Sequence, residues 1–141
     1  MISKSISAVA LATLTVLGAA PAIAQDGGFG LELNNVRDSE NGCRMTYVAR
    51  NATGTDLSAI AFEVAVFDAS DIVSRLLILE FGALTDGKTK VVQFDLADQP
   101  CEAISKLLIN GVAECAAAEG EAPDCMAVLA PSTRTDIGFG L

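Results

Sequence analysis

Four cysteines, Cys43, Cys101, Cys115 and Cys125, are the most reactive groups this sequence offers. Their spacing contains no C-x-x-C pair, so neither a thioredoxin-like dithiol nor a zinc ribbon fits. No histidine occurs, which removes the commonest general base and the commonest zinc ligand. Ser/Lys catalysis would need a pair that nothing in the spacing brings together. Asp38 with Glu40, and Asp68 with Asp71, have oxygens suited to a hard cation. Calcium takes about six to eight oxygens, however, and neither run has the EF-hand loop pattern. Backbone capping in turns already accounts for these aspartates. Asn51-Ala52-Thr53 fits the glycosylation acceptor pattern, but a turn is its simpler use. The sequence thus assigns no catalytic residue, no cofactor site and no metal site, and the four cysteines are expected to form disulfides.

The compartment supports that expectation. Residues 1–24 have Lys4 as a positive n-region, an apolar run from Ile6 to Leu17, Pro21 as a breaker, and Ala22-Ile23-Ala24 as an A-x-A cleavage signal. This reads as a secretory signal peptide with cleavage after Ala24, and no Arg-Arg pair suggests the twin-arginine route. No later run is long and apolar enough to span a bilayer, so no stable membrane insertion is expected after cleavage. The predicted location is periplasmic or secreted, where cysteines oxidise.

The chain carries 9 Lys and Arg against 18 Asp and Glu, a net charge of −9. Loss of Lys4 with the leader takes this to −10 for residues 25–141. An acidic surface repels phosphate backbones, so nucleic acid is excluded as a partner. A protein partner is possible, and charge favours a basic one. Residues 25–141 suit one domain with a modest core.

The elements that must hold the cysteines are strands. Cys43, Met45, Tyr47 and Ala49 alternate with Arg44, Thr46, Val48 and Arg50, and Ile60, Phe62, Val64 and Val66 alternate with Ala59, Ala61, Glu63 and Ala65. The turn-forming run Asn51 to Asp56 lies between them, so Cys43 to Asp68 reads as a central antiparallel hairpin. Phe29, Leu31 and Leu33 mark an earlier strand. Ile72 to Phe81 is apolar on both parities; it reads as a doubly buried strand or a helix segment, and its Ile, Val and Phe favour a strand. Lys90 to Leu96 follows the Asp86-Gly87 turn and ends before Pro100. Ile104 to Cys115 reads as a further strand, with a helical turn around Glu102 to Ser105 as the alternative at its start. Ser132 to Gly140 is a last edge strand or a frayed end. Arg44, Arg50 and Lys90 are expected on outward, solvated faces. About seven strands at this spacing point to an all-β fold, a single immunoglobulin-like antiparallel β-sandwich.

From Asn51 to Asp68 the pattern resembles FxLyD-type bacterial sandwich domains. The matching end is Val64-Ala65-Val66-Phe67-Asp68, although the Gly usual after the Asp is absent. Cys43 to Asp68, Phe81 to Leu84, Gln93 to Asp95, Leu108 to Ala113 and Pro131 to Arg134 together resemble uncharacterised exported bacterial proteins labelled by a twin-arginine signal sequence, although the Arg-Arg pair is missing here. Both resemblances imply an exported sandwich, and neither implies a catalytic residue or a substrate.

Strand parity selects the cysteine pairing. If Cys43 starts its strand at one end of the sandwich, the chain runs away, back, away and back again, which returns Cys101 to that end. The strand from Ile104 carries Cys115 to the other end, and the small-residue loop brings Cys125 beside it. Joining Cys101 to Cys115 would bridge an extended strand of roughly 30 Å, whereas a disulfide needs Cα atoms within about 7 Å. The expected pairs are Cys43–Cys101 and Cys115–Cys125. A disulfide-bearing exported sandwich without catalytic groups is expected to be a non-catalytic binding or accessory module, acting through a sheet edge or loops. The alternative is a self-associating structural envelope protein, motivated by Ile72 to Phe81 and by the C-terminal strand Ser132 to Gly140. An enzyme ranks third.

Overall fold

The computed structural model describes residues 27–141. The leader, its cleavage site and Gln25 lie outside the described residues. Eight strands form two packed four-stranded sheets. They are β1 (Phe29–Ser39), β2 (Gly42–Asn51), β3 (Leu57–Asp68), β4 (Val73–Glu80), β5 (Thr89–Ala97), β6 (Ile104–Ala117), β7 (Leu129–Thr133) and β8 (Gly138–Gly140), with one 3₁₀ turn at Cys101–Ala103. One sheet has the order β5-β2-β1-β7 and the other β4-β3-β6-β8.

The alternating apolar positions face inward in both sheets. Phe29, Leu31 and Leu33 of β1, Cys43, Met45, Tyr47 and Ala49 of β2, and Ile60, Phe62, Val64 and Val66 of β3 are all buried. Tyr47 packs edge-on against Phe81, Phe94 and Phe139, which ties the two sheets together.

The structure corrects the central hairpin. β2 and β3 do not pair: β2 lies between β1 and β5, and β3 lies between β4 and β6. The run Ala52 to Asp56 is an arch from one sheet to the other, and Asn51 builds it. Its Nδ2 donates to the carbonyls of Thr55 and Leu84, each at 2.8 Å. Its Oδ1 accepts from the Thr53 amide at 3.0 Å and the Thr53 hydroxyl at 2.7 Å. Alternation says which face of each strand is dry; it does not say whether two dry faces lie side by side or across the core.

The sheets are mixed rather than wholly antiparallel. β7 runs parallel to β1, and β8 runs parallel to β6. The loop after β6, closed by Cys115–Cys125, delivers the chain to the end where β1 begins, with Phe29 opposite Leu129, so β7 must leave in the same direction as β1. A turn through Arg134 to Ile137 then reverses it into β8. Pro131 is tolerated in β7 because that strand lies at a sheet edge.

Candidate functional site

Both disulfides form as the parity argument selects: Cys43–Cys101 with Cα atoms 4.8 Å apart, and Cys115–Cys125 with Cα atoms 6.2 Å apart. Cys43, the second residue of β2, lies opposite Leu96 of β5, and after β5 the chain curls through Asp98 to Pro100 to place Cys101 beside it. The carboxylate of Asp38 accepts the Cys101 amide at 2.8 Å, which fixes that curl to the end of β1. All four cysteines are consumed in structure, and the pairing fits an oxidising, extracytoplasmic compartment.

The polar candidates are likewise occupied locally. Asp68 accepts the amides of Ser70 and Ile72 and so shapes the β3–β4 turn, while Asp71 pairs with Lys106 at 3.0 Å. Asp56 accepts the Asp86 amide, and Asp86 accepts the Gly54 amide, which links two turns. Among the described residues no three Cys, Asp or Glu side chains are grouped to hold a metal ion. Asn51 is fully buried with both amide hydrogens donated, so it does not present an acceptor for glycosylation.

The outer face of the β5-β2-β1-β7 sheet is mostly polar, with Val91 exposed opposite Val48. Arg44 and Asp95 form a two-pronged cross-strand pair at 2.7 and 2.9 Å. That hydrogen bonding holds the Asp95 carboxyl below its ordinary range and raises the Arg44 guanidinium. Hydrogen bonds from Asn34 and then Arg134 lower Glu32 in the same way. Gln93 donates to Thr46 at 3.0 Å. Arg44 and Arg50 point outward as expected, but Lys90 does not. It sits opposite inward-facing Ala49, half-buried, and donates to the carbonyls of Phe81 and Ala83. A lysine can lay its methylene stem along the sheet flank while its head satisfies carbonyls there.

The other outer face differs. Strand registers set it out in rows across β4, β3 and β6. Val73, Phe67 and Lys106 form one row; Leu76, Ala65 and Leu108 the next; Ile78, Glu63 and Gly111 the third; Glu80, Ala61 and Glu114 the last. Leu76 is 57% exposed, Ile78 48% and Val73 48%, with Ile72 at 63% in the turn below. The run Ile72 to Phe81 is therefore a strand, but not a doubly buried one. Its inner residues Leu77 and Leu79 pack on the core while its outer residues meet solvent.

β4 is also a terminal strand with one side unpaired. Two of the other terminal strands are blunted, β7 by Pro131 and β8 by its length of 3 residues, while β5 sets one exposed valine, Val91, beside the polar outer residues Gln93 and Asp95. β4 has a bulge at one end, where the register slips between Val66 and Phe67 and Ser74 bonds Gln99 at 3.1 Å. From Arg75 to Glu80 it runs without Gly or Pro, and Arg75, opposite inward-facing Val66, is its one inner charge. The apolar run is legible in the sequence, but its neighbours Phe67, Ala65 and Leu108 are not, because they join it only through the order of β4, β3 and β6 in the sheet. No protein family, curated protein or solved structure matches the chain.

Proposed function

We propose that this chain is an exported, non-catalytic binding or accessory module of the periplasm or cell exterior, and that it engages a protein partner through the edge and outer face of β4. The observation that carries this reading is the exposure of Leu76 and Ile78 on an unpaired edge strand, beside Ala65, Leu108 and Phe67 on the same face. Exposed apolar strand edges that natural proteins usually protect are sites of strand addition. The strand arrangement supports an immunoglobulin-like reading: β1, β2 and β5 lie as A, B and E, and β4, β3 and β6 as C′, C and F. The parallel β7 and β8 depart from that pattern at the C-terminal end. The likeness to FxLyD-type and twin-arginine-labelled exported proteins points the same way. The same apolar face also favours the second reading, a self-associating envelope protein.

The test is recovery of a partner from envelope extract by the wild-type chain and by the Leu76→Glu/Ile78→Lys variant. Both substitutions lie on exposed positions, so the variant is expected to fold normally. Reproducible recovery by the wild type alone supports the reading. Equal recovery by both sinks it.

A further inference from the structure

The charges around β4 specify the occupant further, given the reading above. The outer face is not uniform. At one end Lys106 is neutralised: its Nζ lies 3.0 Å from Asp71 and 4.3 Å above the Phe67 ring. At the other end Glu80, Glu63 and Glu114 gather in adjacent rows, and among the described residues no cation pairs with them. Glu63 accepts only the neutral amide of Asn110. On the inner side of the same strand Arg75 makes no ion pair among the described residues.

We infer that β4 accepts an extended, largely apolar segment of another protein, basic at one end and acidic at the other, added antiparallel along Arg75 to Glu80. Alternation on such a strand places a Lys or Arg opposite Glu80, apolar residues opposite Leu79, Ile78, Leu77 and Leu76, and an acidic residue opposite Arg75. The basic outer residue completes the acidic end of the face, and the acidic inner residue meets the one charge at the flank. The net charge of −9 steers a basic partner toward the surface and disfavours an acidic one.

A second copy of this chain does not satisfy these positions. Antiparallel pairing of two β4 strands centred on Leu77 puts Leu79 opposite Arg75 and Ser74 opposite Glu80. Both charges are left without partners, and two strongly acidic chains are brought together. A shift of one residue in the sum would oppose inner to outer faces, which antiparallel pairing forbids.

The test uses two labelled synthetic peptides with identical Gly-Lys flanks. One has the core Lys-Val-Ile-Val-Tyr-Glu, written from the position opposite Glu80. The other has the same core with its terminal Lys and Glu exchanged. Fluorescence anisotropy with the oxidised full chain should show the first binding about tenfold more tightly, because two cross-strand charge pairs change sign between the peptides. The variant Arg75→Glu/Glu80→Lys should reverse the preference, and high salt should compress it. Equal binding of both peptides overturns the inferred charge register while leaving β4 as a docking edge. Binding of neither peptide overturns it too. In that case, extract capture that still depends on Leu76 and Ile78 shows that only the occupant was wrong, and capture indifferent to them fells the reading of β4 as well. A concentration-dependent dimer abolished by Leu76→Glu/Ile78→Lys makes the second copy the occupant and also overturns the inference.

Discussion

Replacing Asn51 tests whether one buried amide holds the arch between the sheets. Its side chain is 0% exposed and makes four hydrogen bonds, two donated and two accepted. At about 0.5–1.5 kcal/mol each, and with the Thr53 amide left without its partner, Asn51→Ala should cost about 3 kcal/mol. A small domain has only about 5–15 kcal/mol in total. In urea, with a slope of about 1–3 kcal/mol per M, the midpoint should fall by roughly 1–3 M at unchanged slope. Asn51→Asp goes further, because it turns a carboxylate oxygen toward the two carbonyls that Nδ2 now serves. Burial and those carbonyls raise the folded-state pKa of the new Asp above its unfolded value of about 3.9. Its protonated form is thus favoured in the folded chain, and the extra loss relative to Asn51→Ala is absent below about pH 4 and grows as pH rises through the folded-state pKa. Equilibrium unfolding of both variants across pH measures this. An Asn51→Ala variant within about 0.5 kcal/mol of wild type would refute the reasoning, as would an Asp variant whose deficit shrinks as pH rises.

Gly42→Ala should cost about 3 kcal/mol, because a Cβ there would lie 1.9 Å from the Leu96 carbonyl oxygen, which is backbone and cannot swing away; thermal unfolding of the variant checks it. Tyr47→Phe should be neutral or slightly stabilising, since among the described residues the buried hydroxyl finds only the Met45 sulfur at 3.8 Å. Burial raises the Tyr47 phenol, so wild-type stability should fall as pH climbs above about 10, where the unfolded chain ionises first, and alkaline unfolding curves of the Phe variant should lack that contribution. Removing Cys43–Cys101 should cost about 4 kcal/mol and removing Cys115–Cys125 about 3 on the loop-entropy account, measurable as separate losses in urea. Non-reducing peptide mapping that links Cys101 to Cys115 would contradict both the pairing and the strand order.

Face assignments and disulfides were legible in the sequence because they depend on parity. Tyr47 and Val64 fall inside by alternation alone, and Cys101 returns to Cys43 whichever sheet each strand joins. Sheet membership was not legible. A five-residue polar run such as Ala52 to Asp56 serves a hairpin or an arch, and what decides here is the burial of Asn51 beneath Leu84, a contact distant in sequence. The parallel direction of β7 and β8 depends on where the Cys115–Cys125 loop sets the chain down. The candidate surface was half legible. Leu76 to Leu79 announce an apolar strand, but consecutive apolar residues fit a strand covered on both faces as well as one left open. Lys90, charged and beside a turn, reads as solvated, whereas its carbonyl partners at Phe81 and Ala83 exist only once β4 and β5 flank the same side.

The most direct measurement is site-specific photo-crosslinking in the cell envelope from three positions: Ile78 on the outer face of β4, Val91 on the outer face of β5, and Thr46 in the centre of the polar face. A single discrete adduct to another protein from position 78, absent from 91 and 46, is the expected result. Adducts from 91 or 46 with none from 78 would place the interaction elsewhere and contradict the role of β4.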